Sequence, residues 1–237
     1  MSADPRPGSG ARPRAVVSWS TGKDAAWSLV ELRRRGEVDV VGLLTTVTET
    51  FDRVSMHGVR RSVLELQSEA LGLPVYRVEI PFPCPNEEFE RAMTRTLATL
   101  RSEGVDQIAF GDLYLEDIRR YREDRLRGTG VAPIFPLWGR PTRALADEMI
   151  AGGLRATIVA LDPRKLPPGF CGREFDAAWL RDLPAGVDPC GENGEFHTCV
   201  TAGPMWEGRL PVRTGEVVER DGFVFADLLP TGATRPG

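Results

Sequence analysis

Apolar positions follow two alternating rhythms through the first half of the chain. Arg14 to Ser18 reads as a short buried strand, and a small polar loop separates it from Asp24 to Arg35. That second segment carries Ala25, Trp27, Leu29 and Leu32 at helical spacing and stops at Gly36. Val38 to Thr45 is almost continuously apolar, as a strand covered on both faces must be. A helix is expected from about Val59 to Leu71, ended by Gly72 and Pro74, then a strand from Val75 to Ile80. Asn86 is expected to cap a helix reaching about Arg101, and Val105 to Phe110 forms the next strand, leading into Gly111-Asp112. Strands alternating with helices of this length imply a parallel sheet wrapped by helices, with its ligand at the carboxyl ends of the strands. The loops after Val17, Thr45 and Phe110 are therefore the places to look.

Beyond about Gly128 the pattern loosens. Val131 to Leu137, a helix begun by Pro141 and running to about Ala151, and Ala156 to Leu161 are candidates to extend the sheet. From Asp162 the periodicity is weak, until Arg209 to Glu219 and Phe223 to Leu229 flank Asp221-Gly222, a hairpin signal. The expected organisation is a loose tail at 1–13, a first domain at 14–128, a smaller α+β domain at 129–230 on the substrate side, and a tail at 231–237.

Composition narrows the function classes. With 41% hydrophobic and 27% charged residues the chain has ample material for a core. No apolar run is long enough to span a bilayer, and the Arg- and Pro-rich start lacks the apolar stretch of a signal peptide, so a cytoplasmic protein is expected. A net charge of −4 argues against a protein built to grip nucleic-acid backbones. Cys84, Cys171, Cys190 and Cys199 show no paired or metal-ligand spacing and read as free thiols. Only two of the thirty basic residues are lysines, Lys23 and Lys165, as a GC-rich genome would favour, and the only histidines are His57 and His197.

Lys23 lies in the most suggestive loop, Ser18-Trp19-Ser20-Thr21-Gly22-Lys23-Asp24. Small residues between a strand and a helix let backbone N–H groups and the helix N-terminus converge on one anion. Lys23, expected to face solvent, adds a charge, and the hydroxyls of Ser18, Ser20 and Thr21 add donors. A Walker A loop would need Gly at Val17 and Ser or Thr at Asp24, so that pattern is excluded. The segment Ser20 to Ala25 resembles instead the PP-loop, S-G-G-K-D-S, of the adenine nucleotide alpha hydrolase superfamily, with Thr21 for the first Gly and Ala25 for the final Ser.

A second cluster, Gly191-Glu192-Asn193-Gly194-Glu195-Phe196-His197-Thr198, packs two carboxylates, an imidazole and a hydroxyl between glycines. Together with the PP-loop, Thr45-Thr46, His57 to Arg60 and Gly111-Asp112, it resembles the diphthine–ammonia ligase family, whose late motif reads near G-E-G-G-E-F-E-T. The resemblance runs from about Arg14 to Pro230. It implies a Rossmann-like, HUP-type α/β fold with a C-terminal extension forming the acceptor site. ATP would lie with its phosphates on Ser18, Ser20, Thr21, Gly22, Lys23 and Asp24 and its adenine against the backbone near Thr45 and Thr46, with Gly111 near by. Magnesium would lie near Asp24 and Asp112. His57 and Arg60, taken to lie one helical turn apart, would contact a phosphate or carboxylate, or Arg60 would make a salt link at the helix start.

The implied reaction is adenylation of a substrate carboxylate, then attack by free ammonia, with AMP and pyrophosphate released. Lys23 would stabilise charge on the phosphates, and Glu192, Glu195 or His197 would take a proton from the amine. In that family the acceptor is diphthine, a modified histidine carried on a protein; the acceptor of this chain is left open, as is its oligomeric state. Two other readings remain: a PP-loop RNA-modifying enzyme, disfavoured by the acidic balance and unpaired cysteines, and a non-catalytic adenine-nucleotide-binding module, which gives the acidic late motif no purpose. The charged run Glu116 to Arg127 reads as a solvated helix face, and Trp19, Trp27 and Trp138 as packing residues.

Overall fold

A computed structural model describes residues 11–232. Strand β1 (Arg14–Ser18) sets the layering, because alternate residues of a strand face opposite sides. Val16 enters one apolar cluster and Val17 the other. On one side of β1 run β2 (Asp39–Thr48) and β4 (Val75–Ile80); on the other run β5 (Gln107–Ala109) and β6 (Ala132–Ile134), all in parallel pairings. The short β3 (Arg53–Val54) folds back antiparallel on the end of β2. Helices α1 (Lys23–Arg35) and α2 (Arg61–Leu71) cover the Val17 face, and α3 (Asn86–Ser102) and α4 (Glu116–Leu126) the Val16 face. The chain leaves β1 to one side and returns to β5 on the other. The crevice beyond the carboxyl ends of β1 and β5 is thus the topological switch point, where an open α/β sheet takes its ligand.

After α5 (Thr142–Ala151), strands β7 (Arg155–Leu161), β8 (Phe196–Ala202), β9 (Val212–Arg220) and β10 (Phe223–Pro230) form a second, antiparallel sheet in the order β8-β7-β10-β9, with α6 (Ala177–Asp182) between β7 and β8. Ile158, Phe196, Val200, Val224 and Leu228 of this sheet share one continuous apolar cluster with Val17 and Leu43 of the first sheet and Leu29 of α1. Residues 132–134 do extend the parallel sheet, whereas Ala156 to Leu161 do not: that stretch belongs to the antiparallel sheet. Asp221 (φ 52°) and Gly222 (φ 78°) make the two-residue left-handed turn that a hairpin requires. Asn86 is the first residue of α3 and not its cap, and Pro85 stands at the cap position. The run after Glu116 is helical and solvated, with Leu126 its only buried residue. It is held down by guanidinium groups on aromatic faces, Arg119 at 4.7 Å from Trp138 and Arg122 at 4.8 Å from Phe110. Among the described residues no helix is long and apolar enough to cross a membrane.

A polar clasp closes the second sheet onto α2. Arg60 sends Nε and Nη2 to the Asp227 carboxylate at 3.0 and 2.6 Å, and Arg53 reaches the same group at 2.9 Å. Burial works against the charge on Asp227, but the hydrogen bonds from Arg60 and Arg53 outweigh it and hold the carboxyl below its ordinary range. A carboxyl depressed in the folded state stabilises the protein above its unfolded pKa, and that contribution is lost as pH falls through the folded value. Asp227→Asn is therefore expected to lose about 1–2 kcal/mol at neutral pH, with half-exposed Arg60 keeping the figure modest. The gap from the wild type should shrink to nothing as urea melts are repeated at falling pH below 4; a gap independent of pH would show that the charge is immaterial.

Candidate active site at the phosphate loop

The loop from Ser18 to Asp24 opens at the end of β1, where Trp19 N–H donates to Leu44 O at 2.7 Å and the buried Trp19 indole donates to Gln67 Oε1 at 2.7 Å. Thr21 adopts φ 73°, a left-handed conformation uncommon for a β-branched residue. This is the position where the PP-loop pattern carries its first Gly, so the backbone path is kept here at the cost of strain. Gly22 caps α1, and a Cβ on it would lie 3.0 Å from His57 Cε1 and 3.1 Å from Thr198 O. No side chain of the loop caps the helix. The cap comes from β8 instead: Thr198 Oγ1 accepts from Lys23 N–H at 3.0 Å, and Val200 N–H donates to Thr21 O at 2.9 Å. The remaining first-turn amides have no partner inside the helix, which makes this a place for an anion.

Lys23 does not face solvent. It is 2% exposed, with its ammonium 2.8 Å from Asp24 Oδ2, hydrogen-bonded to Cys190 O, and 5.2 Å from the centre of the Phe196 ring. Burial alone would lower its pKa, yet the Asp24 charge and its neighbours outweigh that and shift it upward, so the amine stays charged. The Asp24 carboxyl is raised by burial despite Lys23. The expectation of a free loop cation fails because β8 and the loop before it cover this side chain.

The late motif wraps the same spot. Gly191 sits at φ 71° with Phe196 O 2.8 Å from where a Cβ would stand, so only glycine fits. Glu192 Oε1 accepts from Leu113 N–H at 2.7 Å and Tyr114 N–H at 3.4 Å, which ties the motif to the loop after β5. Burial pushes the Glu192 carboxyl up to about 7, with Asp24 and Asp112 adding to the rise. Glu195 is buried, its Oε1 accepting from Asp188 N–H at 3.2 Å and Asn193 Nδ2 at 3.0 Å. His197 stacks on His57 with ring centres 4.5 Å apart. Burial, then Lys23, lowers His197 to about 4, and burial with His197 lowers His57 well below its usual value, so both rings are neutral at pH 7.

Several expected partners are placed differently. His57 lies in the turn after β3, its Nδ1 3.2 Å from Thr198 O, while Arg60 points to Asp227, so the two do not face one ligand. No helix yet connects them, since α2 starts at Arg61. The Thr45 hydroxyl donates to Trp19 O at 2.8 Å and Thr46 O accepts from Ser55 N–H at 3.0 Å, so these groups are already used within the sheet. Gly111 packs on the start of α1, where a Cβ would come within 3.0 Å of Asp24 backbone carbon. Asp112 sits 3.5 Å from Arg122, its carboxyl raised by burial more than that guanidinium lowers it. Ser18 and Ser20 are half-buried. The thiols of Cys190 and Cys199 are buried and free, and burial raises both, Cys199 to about 12.

One organising residue escaped the sequence reading. Gln67 is fully buried and its Nε2 donates to Thr21 O at 3.2 Å and to Val200 O at 2.8 Å. Its spacing of four from Val63 and from Leu71 places it on the apolar face of α2, a signal present in the sequence. For Lys23 the structure predicts a role in stability as well as in binding. Lys23→Met should lose about 3 kcal/mol in urea unfolding, the low end for breaking a buried ion pair because Asp24 keeps some solvent contact. A variant as stable as the wild type would mean that the pair contributes nothing to the fold.

Comparisons with known proteins place the chain in a family. Residues 13–133 match the family model of the diphthamide synthase N-terminal domain and residues 141–226 that of the diphthamide synthase C-terminal domain. Proteins named diphthine–ammonia ligase from Bos taurus and Homo sapiens are each 26% identical to the chain over 91% of its length and 88% of theirs. One of the same name from Danio rerio is 26% identical over 91% of this chain and 92% of its own. With successive family models taking in both sheets and the motifs between them, the chain belongs to the diphthamide synthase family.

Proposed function

We propose that the chain is an ATP-dependent ligase that adenylates a carboxylate and passes it to ammonia; the name diphthine–ammonia ligase carried by its relatives supports the ligation to ammonia. The observation that carries this reading is the docking of the late motif on the phosphate loop, with the Lys23 amide 3.0 Å from Thr198 Oγ1. A module that only bound nucleotide would have no need of that second, acid-bearing segment. The α1 N-terminus and the loop amides would bind the phosphates at the switch point. Lys23, buried and charged, would hold the loop in shape and supply positive potential from beneath it.

Magnesium fits these residues. Asp24 Oδ1 is buried without a hydrogen-bond partner, and buried Asp112 Oδ2 has only the loose ion pair with Arg122 Nε at 3.5 Å. Among the described residues no group of three or more His, Cys, Asp or Glu side chains would hold a metal unaided. A nucleotide-bound magnesium takes only one or two carboxylates and completes its shell with phosphate and water, and when bound it would offset charge on the phosphates.

Among the three candidates for proton acceptor, Glu192 has the best credentials. Its pKa of about 7 matches a base working near neutrality, and it is only half-buried beside Asp24. His197, at about 4, is a weak base. Glu195, only 3% exposed, is less accessible to an incoming amine than Glu192. The high, buried thiols weigh against a sulfur-transferring RNA enzyme.

The decisive measurement is of products: AMP and pyrophosphate are expected with a carboxylate acceptor, and ADP as the stoichiometric product would sink the proposal. A second measurement addresses Glu192. At constant free ammonia, amide formation should rise with pH through a midpoint near 7 as Glu192 ionises, and Glu192→Gln should lose that limb and about 100-fold in rate. Pyrophosphate exchange into ATP should survive in the same variant; equal loss of both activities would reassign Glu192 to the first step.

A further inference from the structure

Four of the seven large apolar side chains exposed among the described residues, Phe51, Met56, Phe82 and Val218, border one cavity of about 430 Å³. Single exposed apolar residues are ordinary, but their convergence on a hollow of small-molecule size marks a binding site. The cavity lies beyond the carboxyl ends of β2 and β4, at the ligand end of the parallel sheet, and takes its other wall from the β9–β10 hairpin. The Phe51 and Phe82 rings stand 4.9 Å apart between centres. Gly58 also borders the cavity, and the ring of the preceding His57 lies against Gly22 of the phosphate loop. Two guanidinium groups line the hollow and share one carboxylate. Arg60 gives Asp227 its Nε–Nη2 edge, whereas Arg53 reaches it only through Nη1, which also donates to Gly58 O at 2.6 Å. The Nε–Nη2 edge of Arg53 therefore has no hydrogen-bond partner among the described residues. That edge is a fork matched to the two oxygens of a carboxylate, and two arginines against Asp227 alone leave one positive charge over. Glu216, Arg220 and Asp221 also border the cavity, but all three are exposed, where water and salt screen them.

We propose that this cavity binds a small-molecule amphipathic acid, its carboxylate on the open edge of Arg53 and its apolar body among Phe51, Phe82 and Met56. The aromatic walls suit a flat or ring-bearing body, which gains from edge and face contacts with them. The single spare charge calls for a monoanion; a phosphate ester would bring a second charge to apolar walls with nothing to pair it. Burial of the body supplies affinity, and the fork of Arg53 fixes which end enters. That such an acid is the group adenylated rests on the ligase reading, which the position of the cavity beside the loop suits. The binding itself does not.

The test uses the full chain without nucleotide and hydrocinnamate as the probe, titrated by calorimetry beside its amide, hydrocinnamide, and the cation phenylpropylammonium. The wild type should bind the acid saturably and the amide about tenfold more weakly, the worth of a charged hydrogen bond. Arg53→Gln should bring the acid to the affinity of the amide and leave the amide unchanged. Arg53→Lys, which keeps a cation for Asp227 and loses the fork, should narrow the preference in the same direction and stands in if Arg53→Gln does not fold. Phe51→Ala, at an exposed side chain, should weaken acid and amide alike by about tenfold. No saturable binding, equal binding of acid and amide, a preference for phenylpropylammonium, or an acid preference unchanged in the Arg53 variants overturns the proposal. So does displacement of hydrocinnamate by AMP, which would make the cavity part of the nucleotide site. Because neither ATP nor ammonia is present, such a failure leaves the ligase reading standing, while ADP as product would fail that reading and leave the titration untouched.

Discussion

The carbonyl of Thr21 is the point on which the rest of the site depends. It accepts at once from Val200 N–H of β8 and from the Gln67 amide of α2, and so the most strained residue of the phosphate loop is held from outside the loop. A left-handed β-branched residue persists only where its surroundings over-determine it. Here the over-determination comes from more than 170 residues further along the chain, because the next loop amide, Lys23, is capped by Thr198. The path of the phosphate loop is held by β8 as well as by α2, which makes the binding site a product of both sheets.

Electrostatics follows from the same contact. Covering Lys23 with Phe196 and the Cys190 carbonyl removes it from water and binds it to Asp24. The charge survives because the pair is buried together, and burial raises the surrounding carboxyls, Glu192 to about 7. Two neutral histidines close the opposite flank. One docking event therefore produces a fixed cation under the loop, an acid poised near physiological pH on one side, and uncharged rings on the other.

The Arg53–Asp227–Arg60 clasp and the continuous core explain how that docking is kept in register. Helix α2 carries Gln67 inward to the loop, and Arg60, just before it, reaches outward to β10. The same helix thus positions the site and ties down the sheet that completes it. A rotation of the second sheet would break both connections together, because apolar side chains of both sheets interlock in one cluster.

How much of this was legible in the sequence differs by level. The alternation of apolar runs and helical spacing gave the parallel sheet, its helices and the ligand end, since these depend on local periodicity and on the handed, un-knotted connections of βαβ units. The loop from Ser18 to Asp24 and the cluster from Glu192 to Thr198 stood out because their small residues and charges have no other local explanation. What remained hidden concerns direction. Whether Lys23 faces water or Phe196 and whether Arg60 meets a ligand or Asp227 are decided by segments distant along the chain. Residues 156–161 show the same limit at the level of the fold, since a buried strand reads alike whichever sheet receives it. Local sequence by itself determined which elements form and which loops carry the chemistry; burial by partners far along the chain decided where each side chain points and which charges survive, because desolvation and pairing are properties of the assembled neighbourhood.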